Sequence, residues 1–297
     1  MRVSSLSWRL WRALRNPPEE QAIYRRTLGV AHSVTLFSLC RFRESNRILA
    51  GILSLFFLPI VAFAGPALFF FLVFNSTVYG VFWAASISVR ITTERLGATY
   101  DLLCLTPAGT LGTNWAISTA SIYRNETFKR LNVIVRGLVI AALFVATIVT
   151  LIFVLILIAD AEDRPANELR VLSLAPVYVY AFIAAFYIDH VQSVVLSALI
   201  GMLTPYYVQN TSDAQLWAAG SFLVLQISTY LVTIFTGLIV LPALYAGRTG
   251  WLIDSSIPVL SLLVFYTLRE GYLRIVWSRL IRRMDIRVHP DENWQSS

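Results

Sequence analysis

The sequence predicts an all-α polytopic membrane protein: six transmembrane helices, an N-terminal interfacial helix, and a cytoplasmic helix-turn-helix loop between spans two and three. Three observations predict it. Hydrophobic residues make up 57% of the 297-residue chain, charged residues only 14%, and the mean hydropathy is +0.66, whereas a soluble domain carries about a quarter of its residues as charge. Residues 48–89 form a run of 42 without one Asp, Glu, Lys or Arg, far more than a buried globular helix needs. The basic residues, 24 against 17 acidic ones, are arginines apart from Lys129, and they flank the apolar runs. That placement reads as membrane topology and argues against nucleic-acid binding. The same composition excludes intrinsic disorder.

Residues 1–47 are expected on the cytoplasmic face. From Ser5 to Arg15, a rotation of about 100° per residue gathers Leu6, Leu10, Trp11, Ala13 and Leu14 on one arc, with Arg9, Arg12 and Arg15 opposite. Such a helix lies in the membrane interface, against lipids. Asn16-Pro17-Pro18 ends it, and Glu19 to Arg47 is expected to form a second helical stretch leading into the first span. An arginine-studded amphipathic start lacks the pattern of a cleaved signal peptide, so the N-terminus is expected to stay inside.

At about 1.5 Å per residue, the uncharged run would make a rod roughly twice the ~30 Å hydrocarbon core. It is therefore expected to fold as a hairpin, with spans at 48–64 and 67–89 and a turn at Gly65-Pro66. The third span, 137–159, is bracketed by Arg136 and Asp160 and leads to an acidic loop. Span four, 174–203, carries Asp189 and His190. Span five, 215–245, is expected to kink or leave the core at Pro242, and span six, 251–268, precedes a basic tail, 269–297. With both termini cytoplasmic, 21 of the 24 basic residues fall inside and only Arg164, Arg170 and Arg248 outside, as the positive-inside rule asks. The expected location is the cell's inner, cytoplasmic membrane. Cys40 and Cys104 then face a reducing compartment, where no disulfide is expected.

Motifs for catalysis are missing where they would be sought. The single lysine sits in Thr127-Phe128-Lys129-Arg130, not in a phosphate-binding Gly-rich loop, and His32, His190 and His289 are scattered without metal-ligand spacing. No catalytic, cofactor-binding or metal-binding residue is expected, and the chain is read as having no enzymatic activity of its own. Asp189 with His190 is the one ionisable pair inside a span, where a charge costs ~2.5–3.5 kcal/mol to insert. A structural inter-helix bond is the cheaper reading, with a proton relay or substrate contact as the alternative; a neutral Asn at 189 is expected to preserve assembly. Asn75 and Gln226 are expected to bond neighbouring membrane helices in the same way.

The loop 90–136 is the informative region. Thr106-Pro107 reads as a break, with Gly109 and Gly112 holding the chain off helix until about Asn114. Within it, Glu94-Arg95, Gly97, Thr99, Asp101-Leu102-Leu103 and Thr106-Pro107 resemble the pattern that follows the second span in type 2 ATP-binding-cassette (ABC) exporter permeases. These residues cover under a tenth of the chain; the six spans, inside termini and interfacial helix carry the resemblance along its length. The resemblance implies that the loop couples to a separate ATP-binding-cassette ATPase subunit, through Glu94, Arg95, Asp101, Leu102, Leu103, Thr106, Pro107 and Trp115. It further implies that ATP and Mg are bound by that partner, that a second permease chain pairs as homo- or heterodimer, and that substrates leave the cytoplasm. One departure is the connection from Ala246 to Gly250, shorter than the family's usual re-entrant outer segment. Two other functions stay open from the residues: a non-transporting membrane anchor or assembly subunit, and a proton-coupled secondary transporter using Asp189.

Overall fold

A computed structural model of the protein describes residues 5–29, 75–124, 127–159, 166–245 and 250–284. The expected first span, the Gly65-Pro66 turn, the beginning of the second span, the first part of the acidic loop and the end of the tail lie outside the described residues, as do Cys40, His32 and His289. The described chain is helical and contains no strand. Three of its helices are long and apolar enough to cross a membrane, over Arg130–Ile152, Leu174–Tyr206 and Thr211–Leu244.

Helix α1 (Leu6–Arg15) is followed by α2 (Ala22–Gly29) and by α3, described from 75 to 96. The chain then turns through Gly97 and Ala98, whose φ of 54° lies in the left-handed region, an uncommon setting for a residue with a Cβ. Next come α4 (Thr99–Cys104) and α5 (Gly109–Tyr123). The break falls at Thr106-Pro107 as expected, but the second helix restarts at Gly109, about five residues earlier than read from the sequence. The reason is local: Gly109 has φ +63°, so it serves as the turn's left-handed residue and releases the chain straight into helix.

Helix α6 (Thr127–Ala159) begins ten residues before the expected span and α7 (Ala166–Leu203) eight before, because membrane helices here continue past their apolar stretches. After a 3-10 turn, Thr204–Tyr206, α8 (Thr211–Phe235) runs into a π-helical turn, Thr236–Val240, and then α9 (Leu241–Leu244). Pro242 lacks an N–H and its ring crowds the preceding turn; widening that turn accommodates both, and this is the expected irregularity. Helix α10 (Trp251–Arg283) passes without interruption through the expected span boundary at 268.

The core sits at the end of the molecule that carries α4. There the second half of α7, from Val191 to Met202, is buried beneath Ile87 and Ile91 of α3, Ala116, Ile117 and Ala120 of α5, and Leu273, Val276 and Leu280 of α10. Glycine permits one of the contacts: a Cβ on Gly80 would lie 2.3 Å from the ring of Phe222. Phe128, at the start of α6, is the hub of an aromatic cluster with Trp11, Trp83 and Tyr123, at centroid distances of 6.0, 5.5 and 5.0 Å.

Candidate functional site

Two constellations stand out, a buried polar node and an exposed helix tip. The node joins α3, α7, α8 and α10. Arg269 Nη2 lies 2.6 Å from Asp189 Oδ1, and Arg269 Nη1 donates to the Asp189 carbonyl and to Ser193 Oγ, each at 3.0 Å. Tyr230 donates its hydroxyl to Asp189 Oδ1 at 2.8 Å. Gln226 Nε2 reaches Tyr230 Oη at 2.6 Å, Thr77 Oγ1 at 3.1 Å and Asp189 Oδ1 at 3.2 Å. The guanidinium also stands over the ring of Phe265, 5.0 Å from its centroid. Arg269 is only 2% exposed. A charge so buried needs both a counter-ion and hydrogen bonds, and α7 supplies them through Asp189 and Ser193.

The node revises the sequence reading of its members. Asp189 and Gln226 do bond across helices. From α3 it is Thr77, not Asn75, that joins them; Asn75 is half-buried at the first described position. Arg269 was read as the first tail residue, yet it lies in the bundle interior opposite Asp189. An Asn at 189 would leave that guanidinium without its counter-ion, which weighs against the expectation that the neutral substitution preserves assembly. His190 points elsewhere: its ring meets Trp11 of α1 edge-on at 5.8 Å, and among the described residues neither ring nitrogen has a hydrogen-bond partner.

Next to Arg269, Glu270 holds α1. The α1 N-terminus has no side-chain cap of its own; instead Leu6 and Ser7 donate their backbone N–H groups to Glu270 Oε1 and Oε2 at 2.6 and 3.3 Å. A carboxylate there satisfies orphan donors and the positive end of the helix dipole. The apolar side of α1, Leu10, Trp11 and Leu14, is consequently buried against protein, where the sequence suggested lipid. Ala13, expected on that side, is exposed.

The second constellation is α4 with the start of α5. Tyr100, Asn114 and Tyr206 form a closed triad: the two phenol oxygens are 2.9 Å apart, and Asn114 Nδ2 donates to them at 2.9 and 3.0 Å. Burial, reinforced by the Tyr206 phenol, pushes the Tyr100 hydroxyl above its ordinary pKa range, so it stays a proton donor. Arg95 stacks its guanidinium over Tyr206 at 4.8 Å and donates to the Pro205 carbonyl. Glu94 accepts from Thr99 Oγ1 at 2.6 Å and faces Arg26 at 3.6 Å. The Thr106 hydroxyl donates to the Leu103 carbonyl at 2.7 Å, closing the turn. Leu103 and Trp115 are half-buried against the core.

Of the eight loop residues singled out by sequence, the structure therefore uses Glu94, Arg95, Leu103, Thr106 and Trp115 internally. Asp101, Leu102 and Pro107 remain exposed, joined by Leu105; Leu102 and Leu105 are 68% and 81% exposed. Sequence reasoning missed Arg269, Tyr230, Ser193, Thr77 and Glu270. A signal for Arg269 did exist. It falls on the same helical stripe as Leu273, Val276, Leu280 and Met284, all buried, and that spacing marks an inward face.

No family model matches the chain, and neither the curated proteins nor the solved structures include one that is significantly similar to it.

Proposed function

We propose that the chain is the permease subunit of an ABC exporter, with six spans in the cell's inner membrane, both termini cytoplasmic, and a second permease chain beside it. An unidentified substrate moves outward with energy from ATP hydrolysed in a separate subunit. The observation that carries this reading is the α4 tip. Asp101, Leu102, Leu105 and Pro107 stand exposed on a short helix and the turn after it, and Tyr100, Asn114 and Tyr206 pin that helix to α5 and to the 3-10 turn that follows α7. Asn114 in turn lies against Met284, next to the end of α10. A force on the tip thus bears on α5, on the 3-10 turn after α7 and on the end of α10.

A partner drives a conformational change only through contacts that differ between the two states, and an ATPase closing on ATP against this tip would supply them. Interface energy concentrates in a few anchors, here Leu102 and Leu105. The test is co-purification in mild detergent. The wild-type chain should retain an ATPase subunit at one to one, and Leu102→Ser combined with Leu105→Ser should lose it while the chain stays helical and monodisperse. Equal retention by both would remove the coupling role from the tip; a large ATPase-free assembly would favour the anchor reading.

A further inference from the structure

We infer that residues 5–29 form a strap that opens and closes as one unit over the bundle, clamped at its helix ends by α10, α5 and α3. The inference rests on the contacts of this segment and not on the transport reading. Helices α1 and α2 each bury one side, with Leu10, Trp11 and Leu14 on the first and Ile23, Tyr24 and Thr27 on the second. Between these residues both helices are exposed. The segment therefore lies on the bundle without being threaded through it, and it can lift without breaking the backbone pairing of any other helix, which is internal to that helix.

What holds it down is found at its helix ends. A helix leaves N–H groups unpaired at its start and carbonyls unpaired at its end, with partial positive charge at the first and negative at the second. The Glu270 carboxylate of α10 accepts from the N–H groups of Leu6 and Ser7, at 2.6 and 3.3 Å. The Tyr123 hydroxyl of α5 donates to the carbonyl of Arg15, the last residue of α1, at 3.2 Å. Arg90 of α3 donates from Nη1 to the Thr27 carbonyl, in the last turn of α2, at 3.3 Å. The anion thus sits at the start of the strap and the cation at its end, each with the sign that the helix dipole favours.

The two helices are joined stiffly. Only Asn16 to Gln21 lie between them, and two prolines there limit the backbone. The link is also folded on itself: the Glu19 N–H donates to the Pro17 carbonyl at 2.8 Å and the Gln21 N–H to the Pro18 carbonyl at 3.1 Å. A displacement of α1 is therefore passed to α2. The closed strap connects two places already described. Glu270 follows Arg269 of the buried node, while Arg90 stands one turn before Glu94, which accepts from Thr99 of α4 and faces Arg26 of α2. Opening the strap would release the base of the α4 tip and the flank of the node together.

The experiment is hydrogen exchange followed by mass spectrometry on the full chain in mild detergent. Glu270→Gln removes the charge at one end of the strap and Arg90→Gln the charge at the other. Each single variant should quicken exchange in α1 and in α2 alike, by about threefold or more, while Val191 to Met202 stay as slow as in the wild type. The effect across the strap is the signature, since Glu270 bonds α1 and Arg90 bonds α2. If Arg90→Gln does not fold, Tyr123→Phe decides: it removes only the hydroxyl of the middle clamp and should quicken both helices. Quickening confined to the helix that each substituted residue bonds, or no change in either helix, would overturn the inference. So would equal quickening in Val191 to Met202, which would make the segment part of the core.

Discussion

One helix, α7, meets two environments. From Val191 to Met202 every residue is buried, whereas Tyr178, Val179 and Phe182, about two to three turns before Asp189, are each close to half exposed. Both halves are apolar, so hydrophobicity does not separate them. The difference is side-chain size. The buried half carries Ser193, Ser197, Ala198 and Gly201, and small residues let neighbouring helices approach closely; a Cβ on Gly201 would lie 2.8 Å from that of Ile87 and 3.0 Å from the Ala84 carbonyl. The more exposed half carries large rings beside its alanines, and Tyr180 links it to α6 through Thr147, 3.2 Å away, and Thr150. The Asp189–Arg269 node marks the change from one regime to the other. In α7, close packing coincides with the serines and Gly201, and the large rings Tyr178, Tyr180 and Phe182 with the looser half.

The largest effect should come from the node itself. Arg269→Met leaves the Asp189 carboxylate buried without its cation, and Asp189→Leu does the converse; each should cost about 3–5 kcal/mol, the usual penalty for breaking a buried pair. Combining the two substitutions should recover much of the loss, because no uncompensated charge then remains. Thermal unfolding in detergent, followed by helical signal, measures all three. Single variants as stable as the wild type would mean that the node does not separate the two halves of α7.

The comparison along α7 has its own test, smaller and more direct. Leu199→Ala in the packed half removes a fully buried side chain and should cost about 2–5 kcal/mol. Val179→Ala in the open half, at 45% exposure, should cost under about 0.5 kcal/mol. Gly201→Val should cost about 1–3 kcal/mol by overpacking against Ile87. Similar costs for Leu199→Ala and Val179→Ala would show that both halves are packed alike.

How far these regions could be read from sequence follows from what each depends on. Helical membrane character was legible because composition and uncharged runs report it directly. The Thr106-Pro107 break and the irregularity near Pro242 were legible because proline acts on its own turn. Asp189 and Gln226 were conspicuous as polar residues in apolar surroundings. Their partners were not, since Arg269 stands 80 positions from Asp189 and its charge was counted toward topology when it should have been placed on the Leu273–Leu280 stripe. The roles of Glu94 and Arg95 were hidden for the same reason: a charged residue in a loop looks available until Arg26 and Tyr206 are brought beside it.

A more local effect concerns why the packed half is covered at all. Helix α1 lies over α7 with Trp11 against His190, and the Glu270 carboxylate holds its N-terminus through the N–H groups of Leu6 and Ser7. Glu270→Gln keeps one acceptor oxygen but removes the negative charge facing the helix dipole. That interaction contributes about 0.3–1 kcal/mol at exposed termini and up to ~2 kcal/mol when partly buried, so a loss near 1 kcal/mol is expected, far below that of Arg269→Met on the adjacent residue. The change should be local. Hydrogen exchange should quicken in α1 while the amides of Val191 to Met202 stay protected, because their burial also rests on α3, α5 and α10. If exchange rises equally across both, α1 is part of the packed core and not a cover laid upon it.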